Sequence, residues 1–73
     1  MKHKNLIAES FNEPKKNISE KSQLKDFNWD SMTKINLISN VDEKYKKMLD
    51  YKKFKNLKTF KDLDNLITKI VEK

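Results

Sequence analysis

Not one glycine occurs among the 73 residues, and proline occurs once, at position 14. A phosphate-cradling loop needs glycines so that the backbone can approach the anion closely, and none can be built here. No strand-like alternation runs longer than a few residues, so nothing competes with the helical spacings of the apolar side chains. The sequence therefore predicts an all-α fold. A chain of this length makes one domain, residues 1–73, and hides only about 60% of the surface its unfolded form exposes, so its core must be simple.

The apolar spacings place four elements. Leu6, Ile7 and Phe11 define a short amphipathic helix over roughly residues 2–12, which must stop before Pro14 because proline disfavours helical geometry in the residue preceding it. From Glu13 to Asp30 the apolar residues Ile18, Leu24, Phe27 and Trp29 follow no sustained period. This segment reads as a long connection pinned to the core by those side chains. Beyond Met32 a wide stripe begins, with Ile35, Ile38 and Val41 spaced by three and Leu37, Val41 and Tyr45 by four. Asp30 and Ser31 precede this second helix, and either side chain can cap its first free N–H groups. Residues 50–54 predict a short third helix capped by Asp50 and held by Tyr51, Phe54 and Leu57. Thr59-Phe60-Lys61-Asp62 reads as a capping box opening a last helix with Leu63, Leu66, Ile67 and Ile70 on one face. The expected architecture is a small four-helix bundle, three main helices plus the short third one.

Charge and composition narrow the function. The net charge is +6 and the pI 9.6, which opens a nucleic-acid or anionic-membrane reading. Yet all 17 basic residues are Lys, whereas base-edge reading leans on the planar arginine fork, so sequence-specific DNA recognition is disfavoured. Cysteine is absent, which excludes disulfides, thiolate metal sites and thiol catalysis. No run of 18 apolar residues exists, and the N-terminus lacks the apolar stretch of a secretory signal, so the expectation is a cytoplasmic protein with no membrane partner.

No constellation of catalytic side chains stands out, and neither does a metal cluster, so the chain is not read as an enzyme. His3, the single histidine, lies near an end expected to fray and to leave it exposed. Asp42-Glu43 and the pair Asp62 and Asp64 read as solvated helix faces or caps rather than acid/base pairs.

The informative string is Leu24-Lys25-Asp26-Phe27-Asn28-Trp29-Asp30-Ser31-Met32. Asp30-Ser31-Met32 resembles the attachment motif of the acyl carrier protein family, Asp-Ser-Leu or a close apolar variant at the start of the second helix. The likeness extends over nearly the whole chain. Leu6-Ile7-Ala8-Glu9 resembles the first-helix signature, and Ile18 with Leu24 to Phe27 resembles the loop anchors. Ile35, Leu37, Ile38, Val41 and Tyr45 fall where the second-helix core lies, Leu49-Asp50 where the chain turns into the short third helix, and Leu57, Thr59 and Phe60 at the entry to the fourth.

That resemblance implies a non-enzymatic monomeric carrier. Its cofactor would be 4′-phosphopantetheine, transferred from coenzyme A onto Ser31 by a phosphopantetheinyl transferase. The phosphodiester would sit near the positive end of the second helix, and the arm would bring the thiol that the sequence lacks. Acyl-loading and acyl-accepting enzymes would be the partners, contacting Asp30, Met32, Asn36, Asp42 and Glu43, and the resemblance implies no nucleic-acid partner. Family members also shelter cargo between their helices, which here points to Ile35, Ile38, Leu63 and Ile67.

The chain departs from the family in charge. Members are strongly acidic, whereas here Lys44 to Lys61 holds eight lysines against Asp50 alone. Charge complementarity then argues against general fatty-acid synthesis enzymes and for a specialised pathway with its own partners. Trp29 stands where the family has a small residue and Asn28 where it has glycine. Trp29 is expected to pack over the loop, with a border on the arm as the functional alternative. An aminoacyl or peptidyl carrier and a lysine-rich nucleic-acid-binding module are the competing readings.

Overall fold

The four apolar segments of the sequence become three α-helices and one short 3-10 element in the computed structural model, which describes residues 1–72. The α-helices are α1 (Lys4–Phe11), α2 (Ser31–Tyr45) and α3 (Phe60–Val71). Three 3-10 turns, Lys15–Asn17, Leu24–Asp26 and Tyr51–Phe54, punctuate the connections. No strand is present among the described residues; there is one isolated antiparallel bridge, Gln23 to Thr59. The radius of gyration of 10.9 Å is that of a compact chain of this size.

The short third helix expected at 50–54 is present as the 3-10 helix Tyr51–Phe54. It is a four-residue 3-10 element beside the three α-helices. Asp50 caps it as anticipated, accepting from the Lys52 N–H at 3.0 Å. Its brevity has a physical cause: of its four residues only Phe54 is buried, and one anchor cannot offset the cost of nucleating a longer helix.

The core is one cluster. Ile7, Phe60, Leu63 and Ile67 from α1 and α3, and Leu37 and Val41 from α2, are fully buried, with Ile18 and Leu24 from the long connection beside them. Only one edge of the α2 stripe enters it, through Thr33, Leu37 and Val41. Ile35, expected in the core, is 53% exposed, and Ile38 is half-buried. At 100° per residue Ile35 lies more than a quarter-turn away from the Leu37–Val41 direction. It therefore does not join Leu63 and Ile67 in a sheltered pocket.

The connection 13–30 is stitched to the start of α3 by backbone hydrogen bonds. The Leu24 N–H donates to the Lys58 carbonyl at 2.8 Å, and the Phe60 N–H to the Ser22 carbonyl at 3.1 Å. The capping box appears as read: the Asp62 N–H donates to Thr59 Oγ1 and the Thr59 N–H to Asp62 Oδ2, both at 3.2 Å. Without glycine, two helix ends still enter the left-handed region, at Asn12 (φ 56°) and Lys46 (φ 58°). Asparagine is tolerated there; lysine pays a steric cost.

The N-terminus corrects the expectation for His3 and realises the cap reading of Asp64. His3 is buried at 7% exposure rather than frayed, and its Nδ1 lies 3.2 Å from the Tyr45 hydroxyl. Asp64 is 6% exposed rather than solvated, and its carboxylate accepts the N–H groups of His3 at 2.8 Å and Lys2 at 3.3 Å. A carboxylate from α3 thus caps α1, where His3 offers no side-chain cap of its own.

Candidate functional site

The site is built on the start of α2. Asp30, in extended geometry, is the N-cap: its carboxylate accepts the Thr33 N–H at 3.0 Å. That bond holds the Asp30 carboxyl below the ordinary carboxylate range. Because Asp30 takes the capping role, the Ser31 hydroxyl is free of it. Ser31 is the first residue of the helix and is exposed. Its Oγ has one side-chain neighbour at hydrogen-bond distance, the Tyr51 hydroxyl at 3.3 Å.

Aromatic packing fixes what surrounds the serine. Trp29 stacks on Phe11, with centroids 5.6 Å apart and planes within 5°, and meets Phe54 edge-on at 5.3 Å. This is the packing over the loop that its position suggested. Lys34, one turn past Ser31, sets its ammonium 5.1 Å from the Trp29 ring and 5.7 Å from the Tyr51 ring, in cation–π geometry. Trp29, Tyr51, Phe54 and Leu57 wall an open groove of about 680 Å³ with Lys34, Lys52 and Lys55 at its margins. Trp29 and Leu57 also line a neighbouring groove of about 390 Å³, bordered by Lys25 and Lys58.

The residues expected to meet partners are all exposed, but they do not form one patch. Asp30 and Met32, the latter 67% exposed, flank Ser31 directly. By the 3.6-residue period Asp42 shares the face of Ser31 and Ile35, displaced by about 16 Å along the axis. Asn36 and Glu43 lie on the adjacent face with Met32, and Glu43 borders a polar cleft with Asn5, Glu9 and Asn40.

Two residues of the site went unread in the sequence. Lys34 had a signal, because position i+3 from Ser31 is its neighbour on a helix. Tyr51 had none: its approach to Ser31 is set by how the chain returns after α2.

No group of three or more His, Asp or Glu side chains among the described residues is placed to hold a metal ion. No described helix is long and apolar enough to cross a membrane. Comparison with known proteins gives no match to a family model, a curated protein or a solved structure.

Proposed function

We propose that this chain is an acyl-carrier-type protein whose Ser31 receives a 4′-phosphopantetheine arm. The observation that carries the reading is an exposed hydroxyl at the first position of a 15-residue helix, next to a different residue that does the capping. When bound, the arm would supply a thiol on which an acyl group is carried as a thioester.

The residues around Ser31 fit such a group. The helix dipole at the start of α2 favours a phosphodiester on Ser31 Oγ. Lys34 supplies a cation one turn away, already held over two aromatic rings. The Asp30 carboxylate is drawn toward the Thr33 amide, which lessens its repulsion of an incoming phosphate. Met32 and Ile35, both exposed beside the serine, offer a partner enzyme apolar contacts. On this reading the protein works as a cytoplasmic monomer in a specialised pathway and makes or breaks no bond itself.

Incubation with coenzyme A and a broad-specificity phosphopantetheinyl transferase tests it: intact mass should rise by one phosphopantetheine, and Ser31→Ala should abolish the gain. An unmodified wild type would end the reading.

The eight lysines between 44 and 61, all exposed, favour a second reading as a nucleic-acid-binding module. That function would appear as an affinity falling steeply with salt and indifferent to Ser31.

A further inference from the structure

We propose that the loop 46–50 and the 3-10 turn Tyr51–Phe54 form a contact surface for an anionic lipid bilayer, with Met48 entering the interface between flanking lysines. Such a contact involves neither Ser31 nor the carrier reading. The expectation of no membrane partner rested on the lack of a spanning run, and a peripheral contact needs none.

Met48 is the most exposed large apolar side chain among the described residues, at 86%. It does not sit on a loose end: its neighbour Leu49 is fully buried in the core cluster, and Asp50 caps the turn that follows. Leu49 therefore pins the loop while Met48 is held outward. Lys47, Lys53 and the half-buried Ile70 line one shallow depression with Met48, and Asp50 is the single carboxylate lining it. That carboxylate accepts the Lys52 N–H at 3.0 Å. From Lys44 to Lys55 the chain holds six lysines, all exposed, against Asp50 alone. Among the described residues the ion pairs are Met1 with Glu20 and Lys2 with Glu72, so these six enter none.

The fold itself accounts for part of this charge. Lys44 and Lys46 stand at the C-terminal end of α2, where cations complement the helix dipole, and Lys44 also lies over the Tyr45 ring. Lys47, Lys52 and Lys53 have no such role, because they adjoin a 3-10 turn of only four residues. A projecting, flexible thioether flanked by ammonium groups matches the surface of an anionic bilayer: the cations meet lipid phosphates while the methionine passes below them. Nucleic acid fits less well. Its phosphates would use the lysines, but base stacking needs a flat ring where Met48 stands, and the exposed ring nearby, Tyr51, directs its hydroxyl to Ser31 at 3.3 Å.

The test is sedimentation of the full chain with phosphatidylcholine vesicles, with and without phosphatidylglycerol. The protein should pellet with the anionic vesicles at low salt and stay in solution with the neutral ones. Its partitioning should fall about tenfold as salt rises from tens to hundreds of millimolar, since the charges are solvent-exposed. Lys47→Gln/Lys53→Gln should weaken partitioning by about twentyfold, from a factor of about five for each lysine at an anionic surface. Met48→Ser should weaken it by about fivefold at every salt concentration, because the contribution it removes is apolar. All three positions are exposed, so melting curves by circular dichroism should not move. Ser31→Ala should bind vesicles as wild type does, so loss of the carrier reading would leave this surface standing. Absence of partitioning, equal partitioning onto both vesicle types, or a Met48→Ser variant that binds as wild type overturns the proposal. So does binding of a single-stranded RNA oligomer at a salt concentration that strips the protein from vesicles, which would assign the lysines to nucleic acid.

Discussion

Replacing Asp64 by asparagine tests whether a carboxylate from the last helix really caps the first. Its Oδ1 accepts the His3 N–H at 2.8 Å, and the 3.3 Å contact from the Lys2 N–H to Oδ2 is the weaker of the two. The group is almost entirely buried, so these bonds are not simply exchanged for water. A hydrogen bond to a charged acceptor contributes about 1.5–3 kcal/mol. Asparagine is nearly isosteric and keeps one carbonyl for the short bond, at roughly half its strength. Its amide group then faces the Lys2 N–H, donor against donor, and the attraction of a negative charge for the helix N-terminus, about 0.3–1 kcal/mol, is lost. The sum is about 2 kcal/mol, which in a domain of this size lowers the melting temperature by about 10 °C. Urea denaturation followed by circular dichroism gives the free energy directly. Glu72→Gln, which breaks the exposed Lys2–Glu72 pair at 3.2 Å, is the control and should cost under about 0.5 kcal/mol. An Asp64→Asn variant within about 0.5 kcal/mol of wild type would refute the argument, because burying the carboxylate would then cost as much as its bonds return.

Ser31→Ala should leave stability within about 0.5 kcal/mol of wild type, since the exposed hydroxyl makes one long contact; a larger loss by denaturant titration would make Ser31 a structural residue. Thr59→Ala should cost about 1 kcal/mol in the same titration, through the lost side of the capping box. Hydrogen bonds from the Thr33 amide to Asp30, and from the Lys58 and Thr59 amides to Asp62, depress both carboxyl pKa values below the ordinary 3.8. Their stabilisation is therefore present above that value and is lost as pH falls through the lower folded values. The melting-temperature penalty of Asp62→Ala should thus be constant from pH 5 to neutrality and diminish below pH 4; a penalty that already fades near pH 6 would contradict this origin. Trp29→Ala should cost about 2 kcal/mol by removing the stack on Phe11 and the edge contact with Phe54. If the variant folds and is loaded at Ser31 as fast as wild type, the ring serves packing and not the arm.

What the sequence disclosed follows from the range over which each feature is encoded. The last helix was legible in full because its cap and stripe lie within a dozen consecutive residues, and Phe60, Leu63 and Ile67 are buried as their spacing requires. The start of α2 was legible to within one residue. Asp and Ser are both good caps, and only the extended geometry of Asp30 with its bond to Thr33 N decides between them. Ile35 misled because a stripe built from spacings of three and four is wider than the face that a 73-residue core can cover. The contacts of His3 with Asp64 and Tyr45 were not legible: His3 and Asp64 stand 61 residues apart, and neither position carries a local pattern that names the other.

The aromatic residues connect this architecture to the serine. Phe27 and Phe60 touch at 5.0 Å, Phe60 and Phe11 at 5.0 Å, Phe11 and Trp29 at 5.6 Å, and Trp29 and Phe54 at 5.3 Å. This chain of rings runs from α3 through α1 and the long connection to the 3-10 turn that carries Tyr51. Ser31 is exposed, yet the segment before it and the turn beside it are both anchored in the same close-packed cluster, where displacing one ring disturbs the next. The hydroxyl is thus held in place from two sides without being enclosed, as the proposed carrier role would require. It also divides the molecule's surface into two kinds of position. Substitutions in the ring cluster should change stability and access to Ser31 together, whereas on the proposed carrier reading changes at Met32, Ile35 and the groove lysines should alter partner recognition while the fold stays as it is.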